Sequence, residues 1–162
     1  MRDKVKEPRP MTDTTLVIPA LKPVYASLSG LSEALLRVAA GAFLIPHGAQ
    51  KLFGAFGGYG LEATAEAFQT KLGFANGYLA ALSAGSVEFF GGLLLALGLF
   101  TRLSAGAIAV FLAVAASVHF GGSFFWNKGG WEYPVLWTIV ALMFVVRGGG
   151  KYSLDRLIGR EI

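Results

Sequence analysis

From Leu103 to Asn127 the chain carries no Asp, Glu, Lys or Arg. Nothing else in the sequence narrows the possible folds as much, because an uncharged stretch of about 20 residues is what an α-helix needs to cross a bilayer. Similar apolar runs precede and follow it, at 31–53 (LSEALLRVAAGAFLIPHGAQKLF), 77–100 (GYLAALSAGSVEFFGGLLLALGLF) and 132–148 (EYPVLWTIVALMFVVRG). Only 15% of residues are charged, against roughly 25% in soluble domains, and mean hydropathy is +0.58. The chain is therefore expected to be an all-α membrane protein, a four-transmembrane-helix bundle whose third span covers 102–120. The fourth run is short for a span. At 162 residues there is room for one compact unit.

With no cysteine, disulfides, thiolate metal sites and thiol redox chemistry are excluded for this chain. Residues 1–24 are charged and proline-punctuated, without the apolar core of a signal peptide. They are expected to form a flexible tail before a membrane domain at 25–157, with 158–162 a short C-terminal end.

The sequence pI near 9.5 invites a nucleic-acid reading until the basic residues are placed. With four spans, the termini and the turn after span two share one face. That face carries Arg2, Lys4, Lys6, Arg9, Lys22, Arg102, Arg147, Lys151, Arg156 and Arg160, against Lys51, Lys71 and Lys128 on the other. Cytoplasmic loops attract Lys and Arg, so both termini are expected in the cytoplasm. The charge is an orientation signal, and no nucleic-acid partner is expected.

Between spans one and two, residues 61–72 (LEATAEAFQTKL) place Leu61, Ala65, Phe68 and Leu72 at helical spacing opposite Glu62, Glu66 and Gln69. That pattern predicts a short interfacial helix in the first outer loop; a helix packed over the mouth of the bundle would show the same pattern. The second outer loop, HFGGSFFWNKGGWEY, contains Phe124, Phe125, Trp126, Trp131 and Tyr133. Such aromatics form an interfacial belt or line a ligand pocket.

Ionisable groups inside spans are costly, at about 2.5–3.5 kcal/mol for a central Asp, Arg or Lys, and they usually face the bundle interior. Glu88 sits mid-span among Ala81, Ala84, Gly85, Gly91, Gly92 and Ala96, a stripe of small residues that lets another helix approach. Span three has its own small stripe, Ala105, Gly106, Ala109, Ala113 and Ala116, so spans two and three are expected to pair. On span one, Arg37, His47 and Lys51 share one sector, and Arg37 is the expected counter-ion of Glu88. That pair would serve either as structural glue or as part of a proton or substrate site.

Alternating helix directions bring His47, Lys51, His119 and Glu132 to the outer mouth. They could hold a polar head group, carry protons or bind a metal. No metal is expected, because no span carries H-x-x-x-H or E-x-x-H. A histidine at a helix C-terminus is also favourable for dipole reasons alone. Pro46 predicts a kink in span one.

Five blocks occur in order: HGAQKLFGAFGGYG, VEFFGGLLLALGLFTR, VH at 118–119, GGWEYP and GGGKYSLD. Together they resemble the DoxX family of small bacterial membrane proteins over residues 34–157. The family's motif positions fall on Arg37, His47, Gly48, Lys51, Glu88, Arg102, His119, Glu132 and Ser153-Leu154-Asp155. The resemblance implies a four-span protein of the bacterial cytoplasmic membrane. It also implies association with membrane redox work, since the family is named for likeness to a membrane subunit of thiosulfate:quinone oxidoreductase and its members join redox-homeostasis complexes.

Three functions follow as expectations. The first is a membrane subunit or anchor of a redox assembly, with a bound quinone and a soluble or membrane enzyme partner. In it His47 and His119 would bond quinone oxygens, Glu88 and Glu132 would relay protons, and Phe125, Trp126, Trp131 and Tyr133 would stack on the ring. The second is a non-catalytic scaffold. The third is a small-solute or proton-coupled carrier. The small-residue stripes would serve a homo-oligomer as readily as an internal bundle, and no self-contained catalytic site is evident.

Overall fold

The computed structural model describes residues 15–161. Arg2, Lys4, Lys6 and Arg9, which enter the charge comparison, lie outside them, as does most of the expected tail. Among the described residues there is no strand. After a short 3-10 turn at Pro19–Leu21, helix α1 spans Lys22–Phe53. It therefore begins inside the expected tail and nine residues before the expected first span. Pro23 in the first turn, where a missing N–H costs nothing, makes that early start possible. At 1.5 Å per residue its 32 residues extend about 48 Å. The helix continues through Pro46 and ends at Gly54 in the left-handed region.

Helix α2, Gly60–Thr70, follows. The next span is made of α3 (Gly77–Ser86) and α4 (Gly92–Leu97), joined by a π-helical turn over Val87–Gly91. Asn76 caps α3 by accepting from Leu79 N at 2.9 Å. Then come α5 (Thr101–His119), α6 (Glu132–Arg147) and the short α7 (Leu154–Ile158). Among the described residues three helical segments are long and apolar enough to cross a membrane: Pro19–Phe53, Gly77–Leu97 and Thr101–His119. Helix α6 has 16 residues, about 24 Å of rise.

The helices associate as two antiparallel pairs, α1 with α3–α4 and α5 with α6. The expected partnership of spans two and three is thus secondary. The small stripe of span two meets span one instead: a methyl on Gly41 would run into the Gly92 carbonyl, and one on Gly48 into Phe89 N and the Gly85 carbonyl. Glycine at these places permits backbone contact without a side chain between. The stripe of span three divides. Ala105, Ala109 and Ala116 are buried, whereas Ala113 is exposed and Gly106 faces open space.

The pairs are joined by an apolar core of Ala40, Leu95, Ile108, Leu112 and Phe144 and, below it, by the polar junction described next. Toward the other end they part. Helix α2 packs on α3 and, with the turn after it, places Phe68 and Leu72 at the gap between the pairs.

Candidate functional site

Two groups of ionisable residues occupy opposite ends of the bundle. At the closed end, Arg37 is 2% exposed. Its guanidinium donates to the Gly149 carbonyl and, at 2.7 Å, to the Tyr152 carbonyl. Arg102 donates to the carbonyls of Val145 (2.7 Å) and Val146 (2.6 Å). A helix leaves its last carbonyls without partners, and these two arginines satisfy those at and just beyond the end of α6. Asp155 does the complementary work at the start of α5. Its carboxylate accepts from Phe100 N at 2.7 Å, Thr101 N at 2.9 Å and Thr101 Oγ1 at 2.6 Å. Those bonds hold Phe100 at φ 48°, a left-handed conformation uncommon for a non-glycine residue.

Glycine is required around this junction. At Gly98 (φ +67°) a Cβ would lie 2.7 Å from Arg37 Cζ, and at Gly149 one would lie 2.8 Å from Thr101 Oγ1. The GGGKYSLD block is therefore a connector that lets α6 turn back and deliver Asp155.

Glu88 does not meet Arg37. Its partner is Lys51, whose Nζ lies 2.6 Å from Oε2 and 2.9 Å from Oε1. The reason is register. Gly41 against Gly92 and Gly48 against Gly85 set Glu88 level with the end of α1, whereas Arg37 lies about 21 Å further along the helix axis, beside Gly98. Side-chain exposure is 7% for Glu88 and 23% for Lys51. Glu88 sits in the π-helical turn; such single-turn bulges recur at functional positions.

A cavity of about 1360 Å³ separates the two helix pairs here, and Lys51, Glu88, His47 and His119 all border it. It is partly open along the flank, where Phe43, Leu103 and Val110 stand exposed. Small residues, Ala80, Ser83, Ala84 and Gly106, leave the space, and Leu44, Val87, Phe111 and Trp137 make it apolar. Trp126 and Tyr133, with ring centroids 5.5 Å apart, complete the wall.

The remaining expected residues stand elsewhere. Glu132 Oε1 accepts from Trp126 N at 2.8 Å, so it ties the loop rather than facing the cavity. Trp131 packs on Phe120 and Phe124, with centroids at 5.1 and 4.9 Å. Phe125 is exposed, edge-on to Phe124. Among the described residues no three of His, Asp and Glu converge as metal ligands. Sequence reasoning gave no role to Asp155, Thr101 or Gly149; the signal available was the polar SLD following a glycine triplet.

Comparison with known proteins gives a family model described as DoxX, which matches residues 33–121. Two proteins of Haemophilus influenzae, each described as an uncharacterized protein, are similar. One is 40% identical over 78 residues, 46% of this chain and 58% of the relative. The other is 33% identical over 66 residues, 40% of this chain and 44% of the relative. The chain therefore spans about half the length of these relatives. No solved structure matches.

Proposed function

We propose a function from the premise that this chain, a multi-pass membrane protein, belongs to the DoxX family: it is the small membrane subunit of a quinone-linked redox assembly. The observation that carries this reading is the apolar cavity with the Lys51–Glu88 pair in its wall and His47 and His119 on its border. Ligand sites are mostly apolar clefts of about 300–1,000 Å³ with a few placed polar groups. A flat ring with an apolar tail suits such a cleft, since the tail can lie along the open flank. When bound, a quinone would supply the electron-accepting chemistry. His47 and His119 can each donate to a ring oxygen, Glu88 can hold a proton, and Lys51 keeps that carboxylate oriented. Trp126 and Tyr133 limit how the ring can turn. With no cysteine in the chain, thiol chemistry would reside on a partner enzyme.

In this reading α6 is a fourth span, packed along α5 with Trp131 and Tyr133 at one interface and Arg147 at the other. Helix α2 lies at the outer interface, with Phe68 and, in the turn after it, Leu72 facing inward. Both termini lie on the cytoplasmic side of a bacterial inner membrane. The clustering of Arg102, Arg147, Lys151, Arg156 and Arg160 at the closed end supports that orientation.

A scaffold without chemistry is favoured by one observation: Arg37 and Asp155, both deeply buried, spend their hydrogen bonds on the chain after α6 and the start of α5. Solvent extraction of gently purified protein separates the two readings. A quinone near one per chain, lost in Glu88→Gln of unchanged stability, supports the redox subunit. Stable protein without quinone, from quinone-containing membranes, overturns it.

A further inference from the structure

We propose that a recess at the closed end of the bundle binds a phosphate group, carried by an acidic phospholipid headgroup or by a free phosphate. The recess has a volume of about 380 Å³ and is lined by Arg147, Lys151, Arg156 and Arg160 together with Asp155 and Glu161. Its two carboxylates are committed to other groups. Asp155 holds the start of α5, and Glu161 accepts from Gly149 N at 2.6 Å and pairs with Arg102 at 3.2 Å. Of the four cations only Arg147 has a carboxylate partner among the described residues, Glu33. Three cations without a carboxylate partner among the described residues, Lys151, Arg156 and Arg160, thus line one concavity with Arg147, leaving an excess of positive charge there over the Asp155 carboxylate.

Orientation in the membrane requires an excess of Lys and Arg on one face, but it does not require them to surround a recess. Phosphate is matched by arginine, which can offer two parallel N–H donors, and by lysine as a compact charge. Lys151 Nζ stands 5.5 Å from the Tyr152 ring centroid, which restricts the lysine without neutralising it. Basic pockets on the cytoplasmic side of helical membrane proteins are suited to acidic headgroups. The site is independent of what the cavity at the opposite end holds.

The test uses the full chain in neutral detergent, with native mass spectrometry against phosphatidylglycerol and phosphatidylcholine, and melting curves with inorganic phosphate. The variant is Lys151→Gln with Arg160→Gln, two side chains that make no hydrogen bond or ion pair among the described residues. For a lipid ligand, the wild type retains phosphatidylglycerol over phosphatidylcholine. The variant binds it at least about tenfold more weakly, each surface cation contributing roughly a factor of five, and melts at the wild-type temperature. For a soluble ligand, phosphate raises the melting midpoint of the wild type alone, without lipid preference. If the double variant does not fold, Arg160→Gln by itself is expected to show about a fivefold loss. Equal retention of the two lipids with no response to phosphate, or a folded variant that binds like wild type, overturns the proposal.

Discussion

The two ends of this bundle handle buried charge in opposite ways. At the closed end, Arg37 and Asp155 spend their bonding capacity mainly on backbone groups, the carbonyls after α6 and the amides that start α5. At the open end, Lys51 and Glu88 face each other, beside a cavity large enough for a ligand. A charge that satisfies a helix terminus is fixed by the fold and cannot change partner without unfolding something. A side-chain pair next to free volume can exchange one partner for another. Both kinds look alike in the sequence, as single ionised residues within apolar runs.

The largest effect that would break this comparison is at Arg37. Arg37→Met leaves the Gly149 and Tyr152 carbonyls unpaired, and at about 1–3 kcal/mol for each buried orphan group a loss of roughly 3–5 kcal/mol is expected in reversible unfolding in detergent. A mild effect would mean the closed end is held otherwise. Asp155→Ala is expected to cost about 2–3 kcal/mol, since a capping carboxylate is lost where three donors converge. Amide exchange should rise first at Phe100 and Thr101.

Gly48→Ala comes next, at about 1–3 kcal/mol for overpacking. The same change at Gly106, where a methyl meets nothing within 4 Å, should be close to neutral. The comparison is sharpened at the open end. Glu88→Gln should cost only about 1–2 kcal/mol yet abolish quinone retention. The double variant Lys51→Met with Glu88→Leu should come within about 1 kcal/mol of wild type, as apolar replacement of an ion pair often does, and still bind no quinone. Retention in either variant would return the pair to a purely structural role. His119→Ala, the smallest, should leave stability within about 0.5 kcal/mol and weaken quinone binding severalfold by equilibrium titration.

The helical fold and the approximate limits of several segments were legible because they depend on local pattern. Helix α5, Thr101–His119, lies within one residue of the expected 102–120 at each end, and α6 starts at Glu132. Glu88 was recognisable as an inward-facing carboxylate from the small residues around it. Its partner was not, because pairing depends on register between helices, and register is decided by which glycines meet. Helical periodicity around Arg37 is the same whether it lies opposite Glu88 or Gly98. For the same reason the stripe on span two could not reveal that α1, and not α5, would be its main neighbour. The cavity was foreshadowed only by its border, since His47, His119, Trp126 and Tyr133 are read one at a time while empty volume is a property of the assembly. Glu132, by contrast, is taken up by a loop amide, and local loop geometry of that kind leaves no periodic trace.

The π-helical turn at Val87–Gly91 carries a further consequence. It acts as a one-residue shim: every position beyond it is rotated by about 100° relative to an unbroken helix, which is what lets Gly92 touch α1 while Leu95 fills the core. Excising a single residue there would shorten the chain by less than one per cent. It would nonetheless swing the lower half of the rod to a different side, so the tolerance of this segment to deletion should be far lower than its apolar composition suggests.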